Sequence, residues 1–68
     1  MVIPEEIYGK NAGKVYQLLE KKGPLTITQL ARLSKLPPSQ VYSSLGWLGR
    51  EGKIEIIEDK HGYRYKLK

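Results

Sequence analysis

The sequence has no cysteine and no phenylalanine, and only one tryptophan, one methionine and one histidine among its 68 residues. Without cysteine there is no disulfide framework and no thiolate metal site, and nothing follows about redox compartment. His61 has no second His or Cys with which to build a zinc site, so neither a metal nor a cofactor is expected. No run of about 18 apolar residues occurs, which argues against a membrane partner, and the N-terminal MVIPEEIYGK lacks the basic-then-apolar order of a signal peptide. A cytoplasmic protein is the expectation. Catalytic constellations are missing too. Glu55, Glu58 and Asp59 fall on a short alternating segment rather than around a cleft, and no nucleophile, base and orienting group converge at readable spacing. No glycine-rich phosphate loop of the strand-turn-helix kind is present either. An enzyme, or a binder of small-molecule substrates, is the class these absences disfavour most.

What is present is positive charge. Twelve Lys and Arg stand against seven Asp and Glu, for a net charge of +5. Such a balance favours nucleic acid or another anionic surface, although lysine-rich surfaces also simply keep proteins soluble. The length allows a single domain, 1–68, with one core. A chain this short buries only about 60% of its unfolded surface, so its packing must be economical. Apolar content of 40% with regular periodicity argues for a folded unit.

The periodicity predicts three helices and a hairpin. A first helix begins near Glu5 or, capped by Asn11, later, and ends at Lys22 before Gly23-Pro24; Ala12, Val15, Leu18 and Leu19 form its inward stripe. Leu25-Thr26-Ile27 reads as a short extended piece. Thr28 is then the expected N-cap of a second helix, 29–34, with Leu30, Ala31 and Leu33 as its apolar positions. Pro37 and Pro38 force a turn, and a third helix runs from about 38 to 51 with Val41, Leu45 and Leu48 inward. From Ile54 the pattern alternates through a turn at Asp59-Lys60-His61-Gly62 to Leu67. That is a two-stranded hairpin with one apolar face, its alternation broken at Ile57.

Helix, extended piece, helix, turn, helix and hairpin make an α+β fold. The stretches "GPLTITQLARLSKLPPSQVYSSL" and "LGREGKIEI" resemble a winged helix-turn-helix domain, with the 54–67 hairpin as the wing. "NAGKVYQLL" and "SSLGWLGREGKI" are similar to small stand-alone winged-helix domains of bacteria and archaea whose function is largely unassigned. The resemblance covers nearly the whole chain and speaks for fold more than for function.

Double-stranded DNA is the partner that the resemblance implies, for a small transcriptional regulator or a low-specificity DNA-associated protein. The third helix would enter the major groove, and the wing turn, with Lys60, His61 and Arg64, would lie along a neighbouring minor groove or backbone. At about 100° per residue, Ser39, Gln40, Ser43, Trp47 and Arg50 are expected to point outward, with Tyr42 on the flank. Gln40 can bond adenine through both amide atoms, Ser39 and Ser43 can reach phosphates or base edges, and Arg50 a phosphate. Lys14, Lys35 and Lys53 are further phosphate candidates. Two departures weaken this interface. Related DNA readers carry Arg, Lys or His at the outward positions taken here by Ser43 and Ser44, and Pro37 stands where such helices carry a capping Ser, Thr or Asp unless Ser39 compensates. Cross-strand pairing of Glu55, Glu58 and Asp59 with Arg64, Lys66 and Lys68 would also absorb part of the wing's positive charge.

Gly46, Trp47 and Gly49 pose a separate question, because each glycine costs up to about 1 kcal/mol inside a helix relative to Ala. A packing reason is expected, with Ala12-Gly13 of the first helix as the most economical partner. Trp47 has three readings. It folds over Gly13, Tyr16 or the Ile3 to Tyr8 segment; it forms a protein interface, to a homodimer or another partner; or it wedges against nucleic acid. The interface reading makes the chain a protein-interaction module that has given up DNA. RNA in place of DNA is not distinguished.

Overall fold

The computed structural model describes residues 4–68, with side chains from Gly9 onward, so Ile3 and the side chains up to Tyr8 lie outside the described residues. The first helix, α1, spans Pro4–Lys22. Pro4 suits a first helical position, where its missing N–H goes unused. Asn11 therefore lies well inside the helix and is buried rather than capping it. Gly23 ends α1 at φ +78°, its N–H donating to the Leu19 carbonyl at 3.0 Å.

The second helix, α2, spans Ile27–Ser34, two residues longer at its start than its pattern predicts. Thr26, not Thr28, is the N-cap. Its hydroxyl accepts from Gln29 N at 3.2 Å while the Gln29 side chain accepts from Thr26 N at 2.9 Å, a reciprocal capping box. Thr28 is followed three residues on by Ala31, which cannot return such a bond. Leu25 fixes the extended approach to the cap by exchanging backbone hydrogen bonds of 3.0 and 2.8 Å with Tyr65. At the other end of α2, Lys35 takes a left-handed conformation (φ 61°) and donates to the Ala31 carbonyl at 3.0 Å. A side chain there costs more than glycine would, and it sets the tight turn into the next helix.

The third helix, α3, spans Pro38–Arg50 with Pro37 in the N-cap position and no side-chain cap. The Pro37 carbonyl accepts from Gln40 N and Val41 N, and Ser39 does not compensate, since no side chain makes a capping bond at this end. Gly52, at φ +72°, turns the chain out of the helix. The hairpin follows, with β1 at Ile54–Asp59 and β2 at Gly62–Leu67. The strands pair antiparallel, from Ile54 opposite Leu67 to Asp59 opposite Gly62, around the two-residue turn Lys60-His61. Leu25 bridges the far side of β2, so β2 is central and β1 is outer.

One core joins these elements: Ala12, Val15 and Leu19 of α1, Leu25, Leu30 of α2, Val41, Leu45 and Leu48 of α3, and Ile54 and Tyr65 of the hairpin. Val15, Leu30 and Val41 are fully buried, each worth about 1.5–3 kcal/mol of apolar burial. Two expectations change here. Ser44 is fully buried, not outward, and its hydroxyl donates to the Gln40 carbonyl at 2.8 Å. Ile57 keeps the pleat and sits opposite Arg64, on the face away from Ile54 and Ile56. The apolar face of the hairpin is covered only at its base: Ile54 and Tyr65 are buried, but Ile56 is 60% and Tyr63 55% exposed. Among the described residues no helix is long and apolar enough to cross a membrane.

Candidate nucleic-acid interface

The burial of α3 sorts its residues into four stripes, as a turn of about 100° per residue requires. Val41, Ser44, Leu45 and Leu48 face the core. Ser39, Ser43, Gly46 and Arg50 are exposed along the opposite stripe. Tyr42 and Gly49 lie on the flank towards the wing, and Gln40 and Trp47 on the flank towards α1. The expected outward set therefore divides. Ser39, Ser43 and Arg50 remain on it, Gln40 stays exposed at its edge, and the half-buried Trp47 leaves it.

Gln40 is tied across to α1, its Oε1 accepting from Asn11 Nδ2 at 3.3 Å. That bond satisfies the buried Asn11 amide and engages the oxygen of the exposed Gln40, whose Nε2 is outside it. Trp47 is half-buried against the core and lines a depression with Gly9, Gly13, Tyr16 and Gln17 of α1. It folds over the first helix. Gly46 and Gly49 do not share that contact. A Cβ built at either would meet nothing within 4 Å, and the same holds at Gly13, so close approach to α1 is not what these glycines serve. Instead both border an apolar depression of about 340 Å³ between α3 and β1, lined also by Tyr42, Leu45, Ile54, Ile56 and Tyr65. Gly46-Trp47-Gly49 is thus two surfaces, not one.

The wing turn is organised by a carboxylate. Asp59 Oδ1 accepts from His61 N at 2.8 Å and its Oδ2 accepts from Arg64 Nη2 at 2.9 Å. The pair with Arg64 is one of the cross-strand pairings expected of the wing, while the bond to His61 N, which no expectation covered, is of the kind an Asp makes when it opens a turn that closes on Gly. Lys66 pairs with Glu55 at 3.7 Å and Lys53 with Glu51 at 3.9 Å, Lys53 also lying 5.9 Å from the Tyr16 ring centroid. Glu58 sits opposite Tyr63 and makes no ion pair among the described residues. Arg50, Lys60 and Lys35 are exposed and likewise without an ion pair among them. Lys14 is elsewhere, lining a cleft between α1 and α2.

Tyr42 is 58% exposed and stands over the buried Tyr65. Burial pushes the Tyr65 phenol above its ordinary value near 10, and the neighbouring Tyr42 and Tyr63 add to the shift. This face thus combines hydroxyls and tyrosine rings with few free cations. It can accept hydrogen bonds and offer apolar contact more readily than it can neutralise phosphates.

Known proteins share this architecture. The family model described as "Winged helix-turn-helix domain (DUF2582)" matches residues 3–66. The uncharacterized protein MJ1608 of Methanocaldococcus jannaschii is 36% identical over 69 aligned positions, covering 94% of this chain and 99% of its own length. The solution structure of protein BT2368 from Bacteroides thetaiotaomicron is 31% identical, with a TM-score of 0.89, over 96% of this chain and 79% of that one. The Zalpha domain of PKZ from Carassius auratus, solved in complex with Z-DNA, superposes with a TM-score of 0.81 at 20% identity, over 90% of this chain and 97% of its own. At that identity the likeness concerns the fold.

Proposed function

The chain belongs to the DUF2582 family of winged helix-turn-helix domains, and we propose that it binds double-stranded DNA through the outward stripe of α3 and the wing turn. It acts as a low-specificity DNA-associated protein or a small transcriptional regulator, without catalysis of its own. The observation that carries this reading is the exposed row Ser39, Ser43 and Arg50, flanked by the wing and unobstructed by any other element among the described residues. The start of α3 adds little to this, since Pro37 and Pro38 carry no N–H and those of Gln40 and Val41 donate to the Pro37 carbonyl, which leaves at most the Ser39 N–H for a phosphate. Arg50 and Lys60 supply the phosphate contacts, and His61 lies in the same turn. Low specificity follows from Gln40, whose oxygen is engaged by Asn11, which leaves base discrimination mainly to its Nε2 and two serines. The Zalpha neighbour bound to Z-DNA supports the idea that this architecture accommodates a duplex.

A second reading has its own observation. Tyr42, Ile56 and Tyr63 are exposed around the α3–β1 depression, an apolar surface of the kind that protein interfaces cover. In that case the interaction surface is this one and not Trp47. A residue-resolved NMR titration with a mixed-sequence duplex of about 20 base pairs, and with a duplex held in the Z form, separates the two. Shifts at Ser39, Ser43, Arg50 and Lys60 to Arg64 that fade with added salt are expected. No shifts at low salt with either duplex would sink DNA binding and favour a protein at Tyr42 and Ile56.

A further inference from the structure

The α1–α2 side of the molecule holds a cleft that DNA binding by α3 does not use. Lys14, Gln17, Leu18 and Lys21 of α1 and Leu33 and Ser34 of α2 line a depression of about 210 Å³. Leu18 and Leu33 give it an apolar floor, with the polar Gln17 and Ser34 beside them. Leu18 is half-buried against the core, and Leu33 is 40% exposed although it is one of the few leucines α2 has to bury. Lys14 and Lys21 stand on one stripe of α1, two helical turns and about 10 Å apart. Neither lysine makes an ion pair among the described residues, and no acidic side chain among them lines the cleft. Elsewhere the pattern is mixed: Lys53, Arg64 and Lys66 each have a carboxylate within reach, while Arg50, Lys60 and Lys35 have none among the described residues.

An apolar floor between two free ammonium groups is complementary to a particular kind of ligand. We propose that this cleft docks a short acidic amphipathic helix of a partner protein, with two carboxylates two turns apart that pair with Lys14 and Lys21. A leucine-sized side chain between them covers Leu18 and Leu33. The spacing matches because residues two turns apart on any α-helix share a stripe at the same rise. A nucleic-acid backbone fits less well, since it would meet the lysines but leave the leucines uncovered. The cleft contains no residue of α3 or the wing, so a duplex on one side and a peptide on the other do not compete for contacts. With a duplex on α3 the domain acts as an adaptor, and the docking itself stands whether or not the α3 face binds DNA.

The test is an NMR titration of the full chain with a synthetic helical peptide of about 15 residues. The peptide carries Glu at positions i and i+7 and Leu at i+3 and i+4. Shifts confined to Lys14, Leu18, Lys21, Leu33 and Ser34 are expected. A peptide with both Glu replaced by Gln should bind about tenfold more weakly, the factor that two exposed ion pairs supply. K14E/K21E should abolish binding of the acidic peptide and accept a peptide with Lys at i and i+7 instead. L33S, which keeps the charges, should weaken the acidic peptide by a similar factor. No shifts at low salt, equal binding of the Gln peptide, or stronger shifts in the cleft with a plain duplex than with the peptide would each overturn the proposal.

Discussion

The α3–wing face and the α1–α2 cleft both carry exposed cations, but they hold them differently. Arg64 on the wing is bound to Asp59 at 2.9 Å, and Lys66 beside it reaches Glu55 at 3.7 Å. Lys14 and Lys21 on α1 face no carboxylate among the described residues. The contrast shows that a net charge of +5 does not say where an anion binds. Where the fold expects a DNA contact, part of the charge is neutralised internally and the surface is rich in hydroxyls and tyrosine. Where it predicts nothing, the charge is free. Exposed ion pairs add at most about 1 kcal/mol to stability, so the wing pairs matter more for the local field than for holding the hairpin together.

The most disruptive way to break the comparison is to remove what both faces rest on. Leu30 is fully buried at the centre of the core, and L30A should cost about 2–5 kcal/mol, measured by urea denaturation. Binding at both faces would be lost together. A loss below about 1 kcal/mol would mean that Leu30 does not anchor the helices as its burial implies. A milder change separates the faces. R50Q/K60Q should lower duplex affinity and flatten the plot of log affinity against log salt by about 2, since each phosphate contact contributes roughly 0.9 to the slope. K14Q/K21Q should leave that slope unchanged. Fluorescence anisotropy across a salt series reads both, and equal slopes for the two variants would show that charge acts without regard to position.

Much of this architecture was legible in the residues. The inward triplet Val41, Leu45 and Leu48, the stop at Gly52 and the alternation from Ile54 fix α3 and the wing, because helical and strand periods are properties of the chain alone. The interface was legible only in part. That Gln40 faces α1 depends on Asn11, 29 residues away in sequence, and no local pattern announces such a bond. Ser44 differs from Ser43 by one step of the helix, and a serine is equally at home in either place. Its burial is decided by the crossing of α1 and α3 and is satisfied by its own helix backbone. The glycines misled for a related reason. A glycine in a helix suggests a close neighbour, yet Gly46 and Gly49 border an open depression.

The start of α2 gives a sharper test of how that helix is set between the two faces. Two threonines compete to start that helix, and only Thr26 has a glutamine three residues on to return its hydrogen bond. T26A should cost about 1 kcal/mol, the usual value of a lost N-cap. T28A, at an exposed helical position, should stay within about 0.5 kcal/mol of the parent. Equal losses in the two variants would mean that the capping box does not fix the start of α2, and with it the placement of Leu33 in the cleft.

The smallest expected effect concerns pH, and it belongs to the wing side alone. Tyr65 is buried under Tyr42 and beside Tyr63, and its phenol titrates above the ordinary value near 10, first because burial disfavours the phenolate. The folded state therefore holds the proton where the unfolded chain releases it. That stabilisation is complete below about pH 10 and is lost as pH rises through the folded-state value, because the unfolded chain then binds fewer protons than the native one. Y65F isolates the contribution. It keeps the buried ring and the backbone bridge to Leu25, and the loss of stability between about pH 9 and 11 should be shallower than in the parent. Parallel curves in urea denaturation would show that the base of the wing is wetter than its burial implies. The apolar depression between α3 and β1 would then be a solvated notch rather than a surface waiting for a partner.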